Sequence, residues 1–141
     1  MNEVTVVGGT KKQRELAEKV VEWSIKKMMP RMRTLDIVVS IESMNGDDAY
    51  GYCMEEDTNR EFTLTIRKKQ TLFEMIGTIV HEMIHVKQYA RRELRSVHGN
   101  TMWKKKNYNN VSYADAPWEK EAFRLERKYA LECFEELEFI L

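Results

Sequence analysis

The sequence predicts a single α+β domain over residues 1–141, a small, mostly antiparallel sheet packed with an N-terminal, a central and a C-terminal helix. Three observations carry this reading. Leu35, Ile37, Val39 and Ile41, and later Phe62, Leu64 and Ile66, recur at every second position, the period of a half-buried strand. Two segments open on a capping box, Thr10 with Gln13 and Thr71 with Glu74, and continue with apolar residues at helical spacing. Asp115-Ala116-Pro117 opens a third helix, Asp as cap and Pro in the first turn. A chain of 141 residues is long enough to bury a proper core.

In order, Val4, Val6 and Val7 form a short first strand that Gly8-Gly9 ends. Leu16, Ala17, Val20, Val21, Ile25 and Met28 then give the first helix its apolar face, and Pro30 stops it. Thr34–Glu42 is the next strand. Asn45-Gly46-Asp47-Asp48 makes a turn into a strand over Tyr50–Met54, and Glu55–Asn59 turns into the strand around Phe62–Ile66. These three most simply form an antiparallel meander. The acidic loop residues lack the ligand spacing of a calcium loop and read as solvated. From Thr71 to about Leu94 runs a helix whose broad apolar face, Leu72, Met75, Ile76, Ile79, Val80, Met83 and Ile84, predicts deep burial. Ser96 to about Tyr113 reads as a long polar loop, and Trp118, Ala122, Leu125, Tyr129, Phe134 and Leu137 line the last helix.

Charge excludes more than it suggests. Lys and Arg number 23 and Asp and Glu 23, so no net charge argues for nucleic acid or a membrane surface. No apolar run approaches a membrane span, and Met1–Thr10 lacks a signal-peptide pattern. Cys53 and Cys133 are unpatterned and read as free thiols, so a cytoplasmic protein without a membrane partner is expected.

The central helix carries His81-Glu82-Met83-Ile84-His85. Residues four apart on a helix share a face, so His81 and His85 can offer two imidazole nitrogens to one metal ion, with Glu82 beside them. This H-E-x-x-H spacing is that of zinc metalloproteases, where the glutamate is the general base. Two histidines facing a core without a partner would be costly, and a metal satisfies both. A catalytic zinc needs a third protein ligand. His98, thirteen residues after His85, fits no third-histidine spacing, which leaves Glu119 and Glu121 at the start of the last helix.

The run His81 to Tyr89, followed by Trp103-Lys104, Tyr108, Tyr113 and Pro117-Trp118-Glu119-Lys120-Glu121-Ala122, resembles the small SprT-like or phage-type zincin metallopeptidases over about residues 60–130. It is also similar to gluzincin families with a Glu-x-Glu-Ala segment. The resemblance implies a minimal zincin-like domain, Zn²⁺ as cofactor, and a metal site of His81, His85 and Glu119, with Glu121 a supporting carboxylate. It implies a metallopeptidase that hydrolyses peptide bonds in a protein substrate, a zinc-bound water being activated by Glu82. It further implies that an extended peptide pairs along the strand before the motif helix, Arg60–Ile66. Tyr108, Tyr113 and His98 are candidates to steady the developing oxyanion. The chain has no Cys-rich ribbon after the last helix and has Phe123 where an Asp often follows that segment, which leaves His81 without an assigned partner.

Two other readings use the same residues. One is a non-catalytic zinc-binding regulatory or interaction protein. The other is a nucleic-acid-associated factor using Trp103, Lys104–Lys106, Arg91, Arg92 and Arg95.

Overall fold

The computed structural model of the protein describes residues 1–137 and has the α+β class expected, three helices and two small sheets. Strand β1 (Glu3–Gly8) ends where Gly8 takes a φ of 79°. A Cβ there would lie 2.2 Å from the Ile41 carbonyl oxygen, so no side chain fits. The Thr10 capping box forms, Thr10 Oγ1 accepting from the Gln13 amide and Gln13 Oε1 from the Thr10 amide, and starts α1 (Lys11–Met28). This helix buries Leu16, Ala17, Val20 and Val21 and returns the chain to β2 (Asp36–Glu42), parallel to β1. A crossover of this length is what parallel neighbours require.

The order of the first sheet corrects the expected meander. Strand β3 (Gly51–Glu55) pairs antiparallel with β4 (Glu61–Arg67), but β4 lies between β2 and β3 and runs parallel to β2. The sheet is thus β1-β2-β4-β3 with parallel pairing on both sides of β2, not mostly antiparallel. Apolar alternation reports which face is buried, and that is the same for either strand direction.

Helix α2 (Leu72–Ala90) starts at the second capping box and packs on the inner face of this sheet beside α1. Met75, Ile76, Ile79, Val80, Met83, Ile84 and Val86 are wholly buried there, each contributing about 1.5–3 kcal/mol of transfer free energy. Helix α3 (Pro117–Leu137) closes the other side of α2. Apart from Leu137 its buried positions are small, Ala122, Ala130 and Cys133, which lets the helices approach closely. Ala116, rather than the expected Asp115, occupies the cap position, its carbonyl accepting from the Glu119 and Lys120 amides.

The stretch read as a polar loop is a second, antiparallel sheet of β5 (Leu94–Val97), β6 (Asn100–Trp103) and β7 (Lys106–Asn107). Its strands are too short to show a period. Its turns rest on His98, Gly99, Lys104 and Lys105, all at positive φ. Trp103 is buried and its ring lies 6.3 Å from that of Trp118, with Tyr108 6.2 Å from Trp118 on another side. This aromatic cluster fixes the start of α3 against the small sheet. Among the described residues, no helix is long and apolar enough to cross a membrane.

Candidate metal centre

His81 and His85 lie one turn apart on the buried face of α2, each 7% exposed, with ring centroids 5.0 Å apart. The packing of α2 on α3 brings the first turn of α3 opposite them. Glu119 Oε1 lies 3.2 Å from His81 Nε2 and 3.1 Å from His85 Nε2. One donor atom from each residue lies within 4.8 Å of the others, and such a cluster can hold a metal ion.

Both histidines are held from behind. His81 Nδ1 donates to Glu126 Oε1 at 2.8 Å, and His85 Nδ1 donates to Gln88 Oε1 at 2.8 Å. With each Nδ1 engaged, both Nε2 atoms face the Glu119 carboxylate and donate to it when protonated; a metal that displaced those protons would meet two imidazole lone pairs and a carboxylate at one point. Two imidazole nitrogens and one carboxylate oxygen, oriented by outer hydrogen bonds, form a donor set that suits a divalent transition metal with an open coordination position. Phe123 covers His81 edge-on, ring centroids 4.7 Å apart.

Without a metal the cluster is strongly polarised. Burial by itself would lower the His81 imidazole, but the hydrogen bonds to Glu119 and Glu126 outweigh it and carry His81 up to about 9. His85 is likewise lowered by burial and raised on balance by Glu119. Glu119 is pushed up by burial, yet its hydrogen bonds to His81 and His85 bring it down to about 2. Glu82 is 6% exposed, and burial, only partly offset by the two histidines, raises its carboxyl above the usual range.

These groups line a cleft of about 220 Å³ together with Gly51, Cys53 and Tyr113. The outer edge of β3 borders it, since β4 is flanked by β2 and β3. The expectation that Arg60–Ile66 is the free edge is therefore corrected, the edge being Gly51–Glu55. Gly51 is needed at this wall, as a Cβ there would come within 2.9 Å of Thr78 Cγ2 and 3.0 Å of the Thr65 carbonyl.

Of the paired carboxylates, Glu119 is in the cluster and Glu121 is not. Glu121 Oε1 accepts from Lys87 Nζ at 2.9 Å and from Gln88 Nε2 at 3.1 Å. Of the three oxyanion candidates, Tyr113 lines the cleft, and desolvation followed by the Glu119 charge pushes its phenol up to about 12. Tyr108 packs on Trp118, and His98 sits exposed in the β5–β6 turn. Trp103 is packed against Trp118, and Arg91 donates to the Met28 carbonyl at 2.6 Å. Arg91, Arg92, Arg95 and Lys104–Lys106 are exposed.

Sequence reasoning missed Glu126 and Gln88. Glu126 follows Glu119 by seven residues, two helical turns, so it shares a face of α3 with that carboxylate and meets His81 across the interface, and Gln88 follows His85 by three on the same face of α2. That spacing was the available signal. Comparison of the chain with protein-family models, with curated proteins and with solved structures finds no match.

Proposed function

We propose that this protein is a zinc-dependent metallopeptidase that hydrolyses peptide bonds in a protein substrate. The observation that carries the reading is the convergence of His81, His85 and Glu119 at one wall of a cleft that also contains the buried Glu82. A zinc ion held by these three residues would supply Lewis acidity, making water more acidic and polarising a carbonyl.

The residues of the chain supply the rest. Glu82 takes a proton from the attacking water as the new C–O bond forms, and delivers it to the departing nitrogen as the C–N bond breaks. Burial raises its proton affinity, which favours its taking up that proton. Tyr113 offers an O–H to the oxygen that gains negative charge. The free edge of β3 along the cleft offers backbone hydrogen bonds to an extended peptide, which favours a polypeptide over a compact small molecule. A purely structural zinc site would call for four protein ligands, and among the described residues this cluster has three.

The test is Glu82→Gln, assayed by mass spectrometry on a broad peptide pool with zinc-loaded protein. The variant should keep its zinc and lose about 10²–10⁴-fold in cleavage rate. Cleavage at the wild-type rate would refute the reading.

A further inference from the structure

The cleft at the metal centre does not end at Glu82. It continues past Gly51, Thr78 and Phe123 and opens into a trough of about 460 Å³ between the N-terminal half of α2 and the middle of α3. Tyr50, Phe73, Gly77, Ala130 and Leu131 line the trough. Tyr50, Phe73 and Leu131 are 53%, 45% and 43% exposed, a concentration of bare apolar surface at one place. The two rings are held from outside the trough. Arg67 lies over Tyr50 at 5.4 Å from its centroid, and Phe134 meets Phe73 edge-on at 5.4 Å. The polar lining is already engaged. Glu74 Oε1 accepts from the Thr71 amide, Thr78 Oγ1 donates to Gln70 Oε1, Gln70 Nε2 donates to the Arg67 carbonyl, and Glu126 is hydrogen-bonded to His81. A polar side chain entering here would lose water and find few partners, whereas an apolar one loses nothing. Glu74 and Glu126 further disfavour an acidic side chain, and Arg127 at the exposed rim a basic one.

We propose that this trough is a subsite for a large apolar side chain of the polypeptide substrate, about two to four residues beyond the bond that is cut and on the side of the departing nitrogen. The placement rests on the proposed function; the apolar character of the subsite does not. Glu82 borders the extension toward the trough, whereas His85 and Glu119 do not, so the nitrogen that takes the Glu82 proton departs in that direction. Gly77 and Phe73 precede His81 by four and eight residues, about 6 and 12 Å along α2. An extended peptide covers that span in about two to four residues. Strand β3 runs from Gly51, at the trough end, to Glu55, beside Tyr89 and Arg92 at the other. A substrate whose C-terminal part enters the trough therefore pairs antiparallel with β3, the more stable pairing per residue.

The experiment has two arms. In the first, zinc-loaded wild type, Leu131→Lys and the control Lys128→Ala cleave a broad peptide pool, and mass spectrometry reads the residue frequencies after the cut. Wild type and Lys128→Ala should favour Phe, Leu or Met over Ser and Glu by about tenfold at a position about two to four residues after the cut. Leu131→Lys sets a charge in the trough and should abolish that preference. The second arm needs neither metal nor catalysis. Amide ¹⁵N–¹H shifts of the metal-free protein are followed as Ac-Ala-Ala-Phe-Ala-Ala-amide, or the same peptide with Ser in place of Phe, is added. The Phe peptide should move the amides of Gly77, Thr78, Ala130 and Leu131, and the Ser peptide should leave them in place. Equal or absent shifts at these amides overturn the proposal whether or not Leu131→Lys folds. So does cleavage with no apolar preference at those positions. A protein that takes the Phe peptide into the trough and cleaves nothing defeats the proposed function and leaves the apolar subsite standing.

Discussion

Glu119→Ala tests the centre at its one ligand from outside α2. In wild type, zinc bound only by the folded protein stabilises it by RT ln(1 + [Zn]/Kd), about 4.1 kcal/mol at a free concentration a thousandfold above Kd. Unfolding entropy near 2.1 cal/mol/K per residue gives roughly 0.3 kcal/mol/K for a chain of 141 residues. Zinc should therefore raise Tm by about 14 °C. Removing Glu119 takes away the oxygen that lies 3.2 and 3.1 Å from the two Nε2 atoms, and leaves two neutral ligands with no carboxylate. A hundredfold loss of affinity removes about 2.7 kcal/mol, or about 9 °C of that rise. The zinc-dependent increment should thus fall to about 5 °C or less at the same concentration. The assay is thermal unfolding followed by circular dichroism, with and without buffered zinc. Lys120→Ala, an exposed neighbour on the same turn, is the control and should keep the full increment. A Glu119→Ala protein with the full increment would refute the ligand assignment, and with it the reasoning from α2–α3 packing to the site.

Three more predictions use the same preparations. Glu126→Ala leaves His81 Nδ1 without its carboxylate and should cut zinc affinity about 10–100-fold by chelator competition, while far-UV circular dichroism stays unchanged. In the metal-free protein His81 titrates at about 9 against an ordinary 6.5, so its contribution to stability is full below about pH 6.5 and disappears as pH rises through 9. Seen from Glu119, at about 2 against 4.5, the same interaction is present above about pH 4.5 and lost as pH falls through 2. Metal-free Tm should accordingly be higher at pH 6 than at pH 9.5, and zinc affinity should rise with pH over that interval as the histidines give up protons; an affinity independent of pH would contradict the cluster's ionisation. Gly77→Ala should stabilise α2 by about 0.5–1 kcal/mol, since a Cβ there meets only Glu126 Oε2 at an ordinary 3.7 Å; a fall in Tm would show that the helices cannot accommodate it.

Local chemistry was readable directly. Both capping boxes form at the residues expected, because a cap is a hydrogen bond between groups three residues apart. The burial of α2 followed from its apolar face, and the pairing of His81 with His85 from the pitch of the helix. Strand direction was not readable. The alternation of Ile37, Val39 and Ile41 is equally consistent with a parallel or an antiparallel neighbour; the α1 crossover made β1 parallel to β2, and the return through β3 made β4 parallel on the other side. The second sheet escaped notice because its strands are two to four residues long and its turns use His98, Lys104 and Lys105 at positive φ, residues that do not announce a turn.

What the sequence determined by itself is the α2 half of the centre: two histidines and a glutamate placed within five residues by helical geometry. The other half came only with the tertiary structure. Glu119 and Glu121 are two residues apart, about 200° round a helix, so one faces the histidines and the other faces Lys87 and Gln88. Which faces which depends on the rotation of α3 against α2, set by Ala122, Ala130 and Cys133 and by the aromatic cluster at Trp118. Helix rotation is a property of packing between distant segments, and no local pattern encodes it.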